Sequence, residues 1–86
     1  MPKILIYTTK LCPYCHSAKR LLAKKDVPFE EIDVTFNPGG RKEMTEKANG
    51  ATSVPQIWIG ETHVGGSDEL FELEMDGDLD DMLAAS

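Results

Sequence analysis

Apolar residues along this chain come in short bursts whose internal spacing changes from one burst to the next. Ile4 to Tyr7 are apolar without a break, so Lys3 to Tyr7 is expected to be a strand buried on both faces. Thr8-Thr9-Lys10 interrupts it as a loop. From Pro13 to about Lys25 the period lengthens: Cys15, Ala18 and Leu22 recur at i, i+3 and i+7, and Leu21 widens the stripe. That spacing predicts a helix with one buried face, ended by Asp26-Val27-Pro28. Phe29 to Asp33 is expected to be a second strand. Asn37-Pro38-Gly39-Gly40 then makes a turn, and Arg41 to Ala48 a short amphipathic helix closed by Asn49-Gly50. Gln56 to Ile59 and Thr62 to Val64 are two further strands, antiparallel because Gly60-Glu61 has the Gly-X form of a two-residue hairpin turn. After Gly65-Gly66, Ser67 or Asp68 is expected to cap a helix running to about Met75. Asp76-Gly77-Asp78 breaks it, and Leu79 to Ala84 forms a last short helix packed through Leu79, Met82 and Leu83. The predicted order is βαβαββα plus a short C-terminal helix.

Both cysteines of the chain fall in one tetrapeptide, Cys12-Pro13-Tyr14-Cys15, at the junction of the first strand and first helix. Two thiols three apart in the first turn of a helix lie on nearly the same side, so a reversible disulfide between them is geometrically easy. Pro13 suits the first helical position, since the N–H it lacks would have no intrahelical partner there. This puts Cys12 at about the N-cap, facing unpaired N–H groups and the positive end of the helix dipole. A depressed Cys12 pKa is expected. The helical stripe puts Cys15 on the buried face. Strand–helix order together with Cys-x-x-Cys points to an α/β, thioredoxin-like arrangement: a four-stranded mixed sheet flanked by helices.

Length and charge narrow the classes. The 86 residues suit one domain, residues 1–86. The apolar run Ile4 to Tyr7 is too short for a signal-peptide core or a membrane span, so the chain is expected to be soluble and cytoplasmic. In a reducing compartment two close thiols point to catalysis or metal binding rather than to a structural staple. Net charge is −6 and unevenly spread: residues 1 to 25 hold six basic and no acidic side chains, while residues 64 to 86 hold eight acidic and no basic ones. Most of these read as solvated helix faces. The acidic end repels nucleic acid, whereas Lys10, two residues before Cys12, can help hold a thiolate or an anionic substrate.

Three separated blocks carry a resemblance: Tyr7-Thr8-Thr9-Lys10-Leu11-Cys12-Pro13-Tyr14-Cys15, then Thr52-Ser53-Val54-Pro55-Gln56-Ile57, then Gly65-Gly66-Ser67-Asp68-Glu69-Leu70. With these blocks at this spacing, nearly the whole chain resembles the small dithiol glutaredoxins. The resemblance implies glutathione-dependent reduction of disulfides and of protein–glutathione mixed disulfides, with glutathione as co-substrate. Cys12 would be the nucleophile and Cys15 the resolving thiol, needed only when the substrate is a protein disulfide. Val54-Pro55 would be a cis bond whose Val54 N–H and C=O pair with the cysteinyl part of glutathione, as in strand addition. Ser53 stands where many relatives have threonine, a change expected to alter little. Gly66 and Ser67, at a helix N-terminus, suit the γ-glutamyl carboxylate, and Asp68 its ammonium. Lys10 and Arg41 match positions facing the glycine carboxylate, and Tyr14 would line the groove. Tyr7 and Trp58 are better suited to packing than to chemistry.

The partners so implied are glutathione and glutathionylated or disulfide-containing proteins, met by a monomer without nucleic acid or membrane. Ribonucleotide reductase is a client within that family, though no residue here singles it out. A four-ligand zinc site is not expected: His16 adjoins Cys15, but no second Cys-x-x-Cys or His-x-x-x-His accompanies it. His63 reads as a surface strand residue. Two alternatives are a carrier of a [2Fe-2S] cluster bridged between two chains, from whose usual Cys-Gly-Phe-Ser pattern Pro13 departs, and a redoxin driven by thioredoxin reductase. No metal is expected for the redox enzyme.

Overall fold

The computed structural model describes residues 2–84. Eight elements follow the predicted order: β1 (Ile4–Thr8), α1 (Pro13–Lys24), β2 (Glu30–Asp33), α2 (Pro38–Lys47), β3 (Gln56–Ile59), β4 (Thr62–Gly65), α3 (Ser67–Asp76) and α4 (Asp78–Ala84). The sheet order is β2-β1-β3-β4. β1 runs parallel to β2, as a helical crossover requires, and antiparallel to β3, while β3 and β4 form the antiparallel hairpin closed at Gly60-Glu61. This is the four-stranded mixed sheet of a thioredoxin-like fold.

Strand alternation divides the core in two. Ile4 and Ile6 of β1 and Ile57 and Ile59 of β3 point to one face, where Ala18, Leu21, Leu22, Leu70, Leu79 and Leu83 from α1, α3 and α4 cover them. Tyr7 and Trp58 point to the other, against Val34, Met44 and Ala48. Each fully buried Leu or Ile is worth roughly 1.5 to 3 kcal/mol of transfer free energy. The turns at one end of this sheet, which is covered on both faces, carry the thiols.

Two expectations change here. Residues 38 to 40 are not a turn, because Asn37 caps a helix that begins at Pro38, its Oδ1 accepting the Gly40 N–H at 3.0 Å. Proline at the first helical position, which favours a start, outweighs the two glycines that favour a turn. The charge asymmetry is also more than two solvated faces. At the end of α1, Lys25 Nζ bridges Glu74 of α3 at 2.7 Å and Asp80 of α4 at 2.9 Å. Hydrogen bonds to these two carboxylates raise the Lys25 pKa. Gly77, in the left-handed region at φ 81°, ends α3 and lets α4 fold back beside that clamp.

Candidate active site

Cys12 is the N-cap of α1, with extended backbone (φ −114°, ψ 105°) and Pro13 next in the first helical position. Its Sγ accepts the Cys15 N–H at 3.2 Å. The first turn of α1 contains no acidic side chain, so no carboxylate competes for the positive end of the helix. His16 steadies the approach: its ring Nε2 lies 3.2 Å from the Lys10 carbonyl, and its N–H donates to the Cys12 carbonyl.

The second sulfur has different surroundings. Cys12 is half-buried, while Cys15 has no exposed surface. Burial pushes the Cys15 thiol up to about 12, and its hydrogen bond to Cys12 adds to the effect. A bond from the Thr9 backbone and the charge of Lys19 pull the other way. Lys19 in turn pairs with Glu31 at 3.0 Å, and the Thr8 hydroxyl donates to the same carboxylate at 2.6 Å. The Thr8 bond above all, with Lys19 assisting, lowers the Glu31 pKa. Glu31 escapes sequence reading because β2 is an exposed edge strand in which an acid looks like mere surface.

Opposite Cys12 lies the loop before β3, with the Val54-Pro55 bond cis. Three successive carbonyls of this loop have three different donors. Thr52 O accepts from Arg41 Nη2 at 2.8 Å, Ser53 O from Gln56 Nε2 at 3.0 Å, and Val54 O from the Cys12 thiol at 3.7 Å. Ser53 Oγ is 3.3 Å from the same Gln56 nitrogen.

The third wall is the junction of β4 and α3. Gly65 sits at φ 112°, and a Cβ there would lie 2.7 Å from Glu69 Oε1. A Cβ on Gly66 would come within 3.4 Å of the Pro55 carbonyl, so the junction passes close to the cis loop. The N-cap of α3 is Gly66 rather than Ser67 or Asp68. Gly66 has no capping side chain, and Glu69 acts in reverse, its Oε1 accepting the Gly66 N–H at 2.7 Å. The Gly66 amide is therefore already engaged. Ser67 is buried in the first turn and Asp68 is exposed beside it, with first-turn amides that have no intrahelical acceptor.

These three pieces enclose a groove of about 190 Å³. Tyr14 comes from α1, Ser53, Val54 and Pro55 from the cis loop, and Gly66, Ser67 and Asp68 from the start of α3; Glu69, not foreseen, joins them. Lys10, Arg41 and the two cysteines do not line it, although the Cys12 thiol reaches its Val54 wall. The Lys10 ammonium lies 5.7 Å from the centre of the Phe36 ring, and Arg41 reaches Thr52, one residue before the groove wall. A larger open depression of about 370 Å³ between Lys3, Lys47 and Trp58 shares no residue with the groove.

Tyr7 and Trp58 pack edge to face at 5.5 Å, as their expected core role requires. His63 is not the surface residue expected. It is half-buried, stacked on Trp58 at 4.6 Å, with Nε2 2.7 Å from Gln56 Oε1. Gln56 opens an otherwise apolar strand on the same face as Trp58, so its buried amide needs partners, but the spacing does not say which. No cluster of three or more His, Cys, Asp or Glu side chains suited to a metal ion occurs among the described residues. No helix among them is long and apolar enough to cross a membrane.

Two adjacent thiols at a helix N-terminus, facing a cis-proline loop on a thioredoxin-like sheet, define a thiol–disulfide oxidoreductase. Within that class the chain belongs to the glutaredoxin family, whose model matches residues 4–64. It is 56% identical over 85 residues to a glutaredoxin of Pseudomonas aeruginosa, covering 99% of this chain and 100% of that one. The solution structure of a glutaredoxin from Brucella melitensis superposes with a TM-score of 0.83 at 49% identity, over 96% of this chain and 89% of the other. A buckwheat glutaredoxin–glutathione complex superposes with a TM-score of 0.85 at 26% identity, over 95% of this chain and 76% of that one.

Proposed function

We propose that this glutaredoxin reduces protein–glutathione mixed disulfides through Cys12 alone, and protein disulfides through Cys12 and Cys15 together. In the first path the Cys12 thiolate attacks the glutathione sulfur. The sulfur–sulfur bond breaks, the protein sulfur leaves and takes a proton from solvent, and glutathione stays on Cys12. A second glutathione thiolate then attacks the bound glutathione sulfur, releasing oxidised glutathione and restoring Cys12. The incoming glutathione sulfur is oxidised as the protein sulfur is reduced, and the glutathione carried over from the substrate stays at the disulfide level throughout. In the second path Cys12 attacks one sulfur of a protein disulfide and forms a mixed disulfide with the substrate. Cys15 gives up its proton and attacks Cys12 Sγ, so the substrate leaves as a dithiol and a Cys12–Cys15 disulfide remains. Two glutathiones reduce that disulfide.

The observation that carries this division of labour is the contrast between the sulfurs. Cys12 is accessible at the helix end, whereas Cys15 is enclosed with its pKa pushed up to about 12. Cys15 thus keeps its proton while Cys12 reacts, and can donate a hydrogen bond to the Cys12 sulfur. Glutathione is the co-substrate that fits the groove. Its cysteinyl part would pair with the Val54 backbone along the wall formed with Ser53 and Pro55. Its γ-glutamyl carboxylate would take the free first-turn amides at Ser67 and Asp68, beside the tight Gly66 bend, and its ammonium the Asp68 carboxylate. Tyr14 would close one side, with Lys10 and Arg41 toward the glycine carboxylate. The buckwheat relative, a complex with glutathione, supports this ligand. The reading places a monomer in a reducing compartment such as the cytoplasm, acting on glutathionylated and disulfide-bonded proteins.

The test couples reduction of a small glutathione mixed disulfide to glutathione reductase and NADPH. Turnover that depends on glutathione is expected. Turnover with thioredoxin reductase and none with glutathione would overturn the proposal.

A further inference from the structure

Of the three carbonyls in the cis loop, those of Thr52 and Ser53 are tied back by side chains, and only that of Val54 faces a sulfur. The tie on Ser53 is built unlike the one on Thr52. Arg41 reaches Thr52 from a helix surface, whereas Gln56 is 3% exposed and must satisfy both ends of a buried amide.

The polarity of that amide is fixed from the loop side. A carbonyl oxygen can only accept, so the Gln56 NH₂ must face Ser53 O at 3.0 Å, with Ser53 Oγ at 3.3 Å as a second acceptor. This turns Gln56 Oε1 toward His63 Nε2 at 2.7 Å. Oε1 also only accepts, so Nε2 carries a proton. Both the Nε2–H tautomer and the imidazolium meet that demand. The ring is held in place by stacking on Trp58, 4.6 Å between centres and 22° between planes, and Trp58 is itself 6% exposed and wedged against Tyr7. A continuous run of contacts therefore leads from the aromatic core through His63 and Gln56 to the groove wall.

We infer that Gln56, oriented by His63, is a positioning residue that sets how the Val54 carbonyl stands over Cys12, and so how well the cysteinyl part of glutathione fits. This rests on the glutathione reading given above. Neither side chain lines the groove, and both act through the backbone of Ser53 and Val54. His63 serves by donating one hydrogen bond; its stacking on Trp58 only aims it.

Three variants test this. Gln56→Leu removes both ends of the amide. His63→Phe keeps the stack and loses the donor, while His63→Gln loses the stack and keeps an N–H donor near the Nε2 position. The Gln56→Leu change should raise KM for glutathione about five- to tenfold, with kcat within about twofold. His63→Phe should raise KM about threefold, and His63→Gln should return it to within about twofold of the parent. Backbone amide resonances of residues 52 to 54, recorded without glutathione, should shift in His63→Phe and recover in His63→Gln. Unchanged KM in both Gln56→Leu and His63→Phe, or a Tm fall with no change in KM, would leave the pair merely structural and overturn the inference. So would His63→Gln behaving no better than His63→Phe. Should Gln56→Leu not fold, the two His63 variants decide the matter alone. Should the parent protein not turn over with glutathione, the glutathione reading fails. The resonances of residues 52 to 54 then judge the relay by themselves: a shift supports it, and none refutes it.

Discussion

Two helices present their N-termini to one groove and fill them in opposite ways. α1 opens with a thiol at the N-cap and no acid in its first turn; α3 opens with a glycine and two acids, Asp68 and Glu69. The backbone device is the same, a set of N–H groups without helical partners and a partial positive charge. In α1 it is left to the Cys12 sulfur, which accepts the Cys15 N–H at 3.2 Å. In α3 it is partly used up, because Glu69 occupies the Gly66 amide at 2.7 Å. A bare anion gains little from such an end. On the proposed reading, a head group carrying both a carboxylate and an ammonium would gain from the remaining amides and from Asp68 together, so α3 would serve binding and α1 the reacting sulfur.

The largest effect expected is at α1. Cys12→Ser should reduce turnover to background with mixed disulfides and protein disulfides alike. Cys15→Ser should keep the former and lose most of the latter; equal loss of both would show that the sulfurs do not divide the work. At α3, Asp68→Ala should raise KM for glutathione about tenfold and leave kcat nearly unchanged, since it removes a charge-assisted binding contact and no reacting group. A large fall in turnover at saturating glutathione would count against selection by charge.

The raised Cys15 pKa gives a third measurement. Above about pH 9 the unfolded chain loses the Cys15 proton while the folded chain keeps it up to about 12. The unfolded state then binds fewer protons, so stability falls as pH rises across that window. Urea midpoints of the parent protein should drop through this range more than those of Cys15→Ser, and parallel curves would remove burial as the cause. The smallest expected effect makes α1 resemble α3. Tyr14→Asp places a carboxylate in the first turn beside Cys12, and should slow alkylation of Cys12 by iodoacetamide near neutral pH about three- to fivefold. An unchanged rate would mean that the empty first turn of α1 does nothing for the sulfur.

The elements and their order were legible because the spacing of apolar residues is set by the same alternation that the core uses. Cys15, Ala18, Leu21 and Leu22 are all buried, as their helical stripe requires. Sequence reading erred where two local signals competed, as at Pro38-Gly39-Gly40, where a capped helix start prevailed over a turn. It erred again at α3, where the cap comes from a side chain three residues inside the helix. Much of the groove was likewise foreseeable from the three blocks, which bring Tyr14, the residues 53 to 55 and the residues 66 to 68 to one place. The supporting polar contacts were not. Glu31, Gln56 and His63 act through partners 23, 3 and 7 residues away, respectively, and a hydrogen bond to a distant or folded-back neighbour leaves no periodicity to read.

Lys25 bears on this pair of helix ends from the opposite side of the molecule. One ammonium serves a carboxylate on α3 and another on α4, so neither helix can slide along α1 without giving up its share of a common partner. The clamp at residue 25 thus ties together the far ends of the two helices, α1 and α3, whose opposite tips, Cys12 and Gly66, stand at the groove.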